Sequence, residues 1–135
     1  MKAIFKNVDL IMRRTRIETF PFNVPYANIV EYGLNSNVNL IYSGELHVGD
    51  IVNITFDNAN PLKGNMAIYT KSGTGYGDGK GMGTMRLTPG SRTIGPITVT
   101  GECINIKYYT NNKANLTGTI WETNGMTGTV TIMRA

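Results

Sequence analysis

The stretch Gly44 to Phe56, G-E-L-H-V-G-D-I-V-N-I-T-F, limits most sharply what this chain can fold into. Leu46 and Val48 alternate with Glu45 and His47, and Val52, Ile54 and Phe56 alternate with Asn53 and Thr55. A period of two is that of a strand with one buried face. Gly49-Asp50 stands between the two runs, so the stretch reads as a β-hairpin. The same grammar of short strand, Gly or Asn punctuation and short strand runs through the whole sequence. No stretch keeps the 3.6-residue period of a helix for more than a turn or two.

Residues 2 to 20 hold two candidate strands. Val8, Leu10 and Met12 mark the first, and Ile17 to Phe20 the second, after Arg13-Arg14-Thr15-Arg16. Pro21 and Pro25 are expected to end this region, because proline cannot donate to a central ladder. Ile29 to Tyr32 reads as a short strand, Gly33 to Asn37 as a turn, and Val38 to Tyr42 as the strand leading into Gly44. Asp57 to Asn65 is a loop. Met66 to Thr70, Met85 to Leu87, Ile97 to Val99 and Ile104 to Tyr109 are further strands.

The closing stretch is expected to be a hairpin. Leu116, Gly118 and Ile120 face one way, and Thr117, Thr119 and Trp121 the other. Asn124-Gly125 favours a type I′ turn, and Met126, Gly128, Val130 and Ile132 answer on the apolar side. Gly118 and Gly128, on inward faces, mark a close approach of backbone or a large side chain. Roughly nine to eleven short strands without helices imply a sandwich or a barrel. The expected fold is all-β: one domain over residues 1–135, a two-sheet antiparallel β-sandwich, jelly-roll-like or immunoglobulin-like.

Composition narrows the chemistry. Charged residues make up only 16% of the chain, against roughly 25% in an average domain, so Thr, Asn, Ser and Gly must supply the polar surface. The net charge is +4, and its one basic cluster, Arg13, Arg14 and Arg16, is too short for a nucleic-acid stripe. Cys103 is the single cysteine, in an apolar strand pattern, and reads as a small buried hydrophobe. His47, the single histidine, is its only imidazole partner for a thiol mechanism. The nine carboxylates fall mostly at turns and outward strand positions. No zinc framework, calcium loop or G-x-S-x-G elbow is present. The expectation is a protein that is not an enzyme and needs no metal or cofactor. No run approaches the roughly eighteen apolar residues of a membrane span. The N-terminal stretch carries no export pattern, which points to cytoplasmic synthesis.

From Gly73 to Gly83 every second residue is glycine, with Thr74, Tyr76, Asp78, Lys80 and Met82 between. Ordering so many glycines costs much backbone entropy. The phosphate-loop spacing fails here, because Gly79-Lys80 is followed by Gly81. Two readings fit: a long mobile loop, or a loop that orders against a partner, with Tyr76 as anchor, Asp78 and Lys80 as polar contacts, and Met82 beside them.

The stretch Gly95-Pro96-Ile97-Thr98-Val99-Thr100-Gly101, the strand from Ile104 to Thr110 and the Thr-rich ending resemble the small all-β accessory proteins of tailed bacteriophages, which decorate capsids or form fibre and collar attachments. The resemblance implies a structural subunit of a virion. Its partners would be neighbouring protein subunits, including further copies of itself, and edge-strand pairing is one route to them. The other reading is a carbohydrate-binding module. Trp121, Tyr109, Lys107 and Asn105 would then form an exposed stacking platform flanked by polar groups, although the commoner fate of a lone Trp is to cover the open side of the core.

Overall fold

The computed structural model describes residues 16–31, 39–73 and 77–135. The candidate strand from Val8 to Met12, most of the basic cluster, the turn Gly33 to Asn37 and Tyr76 lie outside the described residues. The strands are β1 (Ile17–Val24), β2 (Leu40–Leu46), β3 (Ile51–Phe56), β4 (Met66–Lys71), β5 (Met85–Leu87), β6 (Thr93–Thr98), β7 (Cys103–Tyr108) and β8 (Met126–Met133). Two 3₁₀ turns, Tyr26–Asn28 and Lys113–Leu116, and one short helix, α1 (Ile120–Asn124), complete the described elements.

Two four-stranded sheets face each other. Sheet A has the order β1-β8-β3-β6 and sheet B the order β2-β7-β4-β5. Every pairing is antiparallel. β1 pairs with β8, β2 with β7, β3 with β6 and β4 with β5, as in one long hairpin. Rolling that hairpin adds the contacts β3–β8 and β4–β7. This is the jelly-roll connectivity. It answers the choice left open by the sequence, since only β4 and β5 are both consecutive and in one sheet.

Alternation builds the core. β8 buries Met126, Gly128, Val130 and Ile132 and turns Thr127, Thr129, Thr131 and Met133 outward. In β3, Val52, Ile54 and Phe56 are fully buried. Phe22, Phe56 and Trp121 form an aromatic chain, with ring centroids 5.3 Å and 5.9 Å apart.

Four expectations are corrected. Gly44 to Phe56 is not a hairpin: β2 and β3 lie in opposite sheets, and residues 47–50 form the corner between them. Alternation reads the same whether the chain turns back within a sheet or crosses the sandwich. Val48 accordingly stands 56% exposed while Leu46 is buried.

The closing hairpin is also absent. β8 already has β1 and β3 as partners, so no flank remains for a strand from 116 to 121. That segment turns instead into α1, and Gly125 with φ 76° ends the helix. Gly118 sits in a turn with open space around it, whereas Gly128 does meet a backbone and a ring. Finally, Pro21 does not end β1 but sits within it. β1 is an edge strand, where a missing N–H costs no ladder bond. Ile29 and Val30 are not in a strand.

Candidate functional site

The jelly roll gathers its links at two ends. At one end the β2–β3, β4–β5 and β6–β7 links are tied together: Gly49 N–H donates to Val99 O, Val99 N–H to Asp50 O, and Thr100 N–H to Gly81 O. At the other end Asn60 joins the β3–β4 and β5–β6 links, through Asn60 N–H to Ser91 O and Gly90 N–H to Asn60 O.

The glycine-rich segment belongs to the first end, and its described part is fastened down. Asp78 and Gly79 N–H both donate to Thr70 O, and Thr70 Oγ1 donates to Lys80 O at 2.6 Å. Asp78 and Lys80 are exposed as expected. The Asp78 carboxylate is nevertheless occupied locally, taking a hydrogen bond from Ser72 Oγ at 2.5 Å and one from Lys80 N–H at 3.0 Å. Those bonds, that from Ser72 foremost, hold its carboxyl below the usual range. Met82 is 9% exposed and packs into the core, so it is not a surface contact. Six glycines on alternate positions conceal this, because the sequence does not show that Thr70 and Thr100 will anchor the chain.

The expected glycan platform does not assemble. Trp121 is 1% exposed and lies in α1 against Phe56. Lys107 is fully buried, with its ammonium 5.2 Å from the Tyr109 ring centre. Asn105 adopts φ 53° at a bulge in β7, and its Oδ1 accepts Gly44 N–H at 2.9 Å. The Tyr109 hydroxyl accepts Gly77 N–H, and its ring packs edge-on against Tyr69. The bulge shifts the alternation by one residue, which is why Lys107 and Asn105 do not share the exposure expected of them.

His47 and Cys103 do line one small depression of about 150 Å³, with Glu45, Ser72, Glu102 and Ile104. The imidazole is engaged by Glu102, Nδ1 lying 2.7 Å from Oε2. Burial pushes the Cys103 thiol above its ordinary value, the opposite of what an activated nucleophile requires. Among the described residues no three His, Cys, Asp or Glu side chains gather as a metal site needs. Arg16 is exposed and reaches Glu18 at 3.5 Å. No helix of the described residues is long and apolar enough to cross a membrane.

Two surfaces stand out that local patterns do not reveal. At the second end, a groove of about 520 Å³ is lined by Pro61, Leu62, Lys63, Asn65, Asn115 and Thr119. The other surface is the outer face of sheet A. Across its strands the register sets Ile17–Met133–Ile51–Thr98 in one row, then Thr19–Thr131–Asn53, then Pro21–Thr129–Thr55–Thr93, then Asn23–Thr127. No charged side chain stands on these rows within the strands; Asp57, whose N–H donates to Thr127 O just past β3, marks the rim of the last row. Thr127, Thr129 and Thr131 announce one strand of it; the field across four strands exists only once the register is known.

Comparison with protein-family models, curated proteins and solved structures finds no match to this chain. What the fold defines is a class: among the described residues, a jelly roll of eight strands whose sheet A has no charged side chain on the outer face of its strands.

Proposed function

We propose that this chain is a non-enzymatic assembly subunit, a virion accessory protein of the capsid-decoration or fibre and tail-attachment kind, that binds neighbouring protein subunits. The observation that carries this reading is the outer face of sheet A. The centres of protein interfaces are depleted in charge, since each buried charge costs desolvation. A sheet face built from Thr, Asn, Pro and three apolar side chains meets that requirement across its width. Jelly rolls house capsid and lectin domains alike, so the fold supports the reading only by analogy. Particles purified from the source by density gradient are expected to contain this chain in fixed ratio to their main shell or tail protein, by quantitative mass spectrometry. Its recovery only among free proteins would overturn the proposal.

The groove at the second end favours one other reading, a carbohydrate-binding module with its site moved away from Trp121. Exposed Asn65, Asn115 and Lys63 offer carboxamides and an ammonium to sugar hydroxyls over a floor of Pro61 and Leu62. On this reading the chain binds a defined sugar on a broad glycan array, and Asn65→Ala with Asn115→Ala lowers that binding at least tenfold with little change in melting temperature. A wild-type chain that binds nothing on the array disposes of it.

A further inference from the structure

We infer that the outer face of sheet A is a self-association surface, which pairs two copies of this chain face to face. The inference rests on the assembly reading and names its first partner.

Edge pairing, the usual alternative for a β-protein, is obstructed on all four sheet edges among the described residues. β1 carries Pro21 and β6 carries Pro96, neither of which can donate to an added strand. β5 is only three residues long. β2 is broken by register shifts on both sides of Tyr42. Short, bulged or proline-bearing edges are how sheets resist a neighbouring strand. The face of sheet A carries no such obstacle.

Charge and shape together select a second copy as the occupant. A two-fold contact sets a surface against itself, so any uncompensated charge would meet its like. This face has none. A two-fold axis parallel to the strands and running over β8 lays like rows on like rows, with β1 and β3 exchanged. Thr19–Thr131–Asn53 then meets Asn53–Thr131–Thr19, and hydroxyls and carboxamides can serve as donor and acceptor in both directions.

The apolar row supplies a knob and a hollow. Ile17 is 57% exposed at the start of β1. Across the same row lies a hollow of about 330 Å³ lined by Gly49, Ile51, Met133, Arg134 and Ala135. Reversal of the row carries each Ile17 toward the other copy's Ile51 and its hollow. The three facing strands β1, β8 and β3, of up to eight residues, span roughly 400 Å² on each copy at ordinary strand spacings. That is at the small end for a specific interface, so dissociation constants in the micromolar range are expected.

Sedimentation velocity of the purified full chain, across about 1 to 500 μM, tests this directly. The expected result is a monomer–dimer equilibrium that Thr129→Lys with Thr131→Lys abolishes, while circular dichroism and melting show the variant folded. If the double variant does not fold, Ile17→Lys is read in its place, at an exposed position, and is expected to weaken the dimer at least tenfold. A wild-type chain that stays monomeric throughout overturns the inference. So does a dimer indifferent to these substitutions, or an oligomer of another order. None of those results touches the particle measurement, so failure of self-association and failure of the assembly reading are distinguishable.

Discussion

Gly128→Ala is expected to lower the melting temperature by roughly 10–15 °C, taking a cost of about 3 kcal/mol and a shift of about 3–5 °C per kcal/mol for a domain of this size. Gly128 lies on the inner side of β8, the strand shared by β1 and β3, in a row with Phe22 and Phe56. A Cβ there would press on the Thr55 carbonyl oxygen and stand 2.6 Å from the tip of the Phe22 ring. The first contact is backbone and cannot rotate away. The second belongs to a ring held edge-on against Phe56 at 5.3 Å. Relief therefore means moving β3 from β8 or displacing the aromatic chain that ends at Trp121. Gly118→Ala is the control. Its added methyl meets open space, and only the left-handed φ of 79° penalises it, by about 1 kcal/mol. Urea unfolding of the two variants beside wild type decides the matter. A Gly128→Ala chain as stable as Gly118→Ala would mean that the slot between the phenylalanines is not filled as described.

The same glycine shows what a sequence of this kind makes legible. Alternation over Met126 to Ile132 places Gly128 inside without any coordinates, and the two-sheet architecture follows from many such runs. What alternation cannot carry is partnership. Leu46 and Val52 look like facing arms of a hairpin, yet a corner sends them to different sheets. Asn124-Gly125 suits a type I′ turn, but the dipeptide also suits a helix end, and β8's two existing partners settle which is used. Only the glycan reading puts Trp121 and Lys107 at the surface, because it counts outward parity through segments that hold a helix and a bulge. The candidate sites fared as the register did. The Thr field and the Asn groove each join segments distant in sequence, and no local motif announces either.

Distance in sequence also hid the polar cluster that ties the first end of the sandwich, where the second large effect is expected. Arg134, just beyond β8, donates from Nε to Glu18 Oε1, from Nη1 to Asp50 Oδ2 and Glu45 O, and from Nη2 to the Tyr42 hydroxyl, all at 3.0 Å. It thereby joins β1 and β2 to the corner that leads into β3. Asp50 is 2% exposed, and its carboxylate also accepts His47 N–H at 2.9 Å and Ala135 N–H at 3.0 Å. Asp50→Ala removes one partner of a buried pair and leaves two N–H groups without their acceptor, at an expected cost of about 3–5 kcal/mol. Asp50→Asn keeps the shape and one acceptor oxygen, and should cost less than Asp50→Ala.

The pH dependence separates charge from shape. Burial by itself would raise the Asp50 carboxyl, but the hydrogen bonds from His47, Ala135 and Arg134, with the guanidinium charge, outweigh it and hold the carboxyl below its ordinary value. A depressed folded-state value means that the unfolded chain takes up the proton first. The stabilisation is then complete above about pH 4, near the unfolded value, and is lost as pH falls through the folded one. Urea midpoints at neutral pH and in steps below pH 4 should therefore converge for wild type and Asp50→Asn as acid is added. Curves that stay parallel into acid would show that the Asp50 charge does not hold this corner, and that its place in the cluster is one of shape and hydrogen bonding alone.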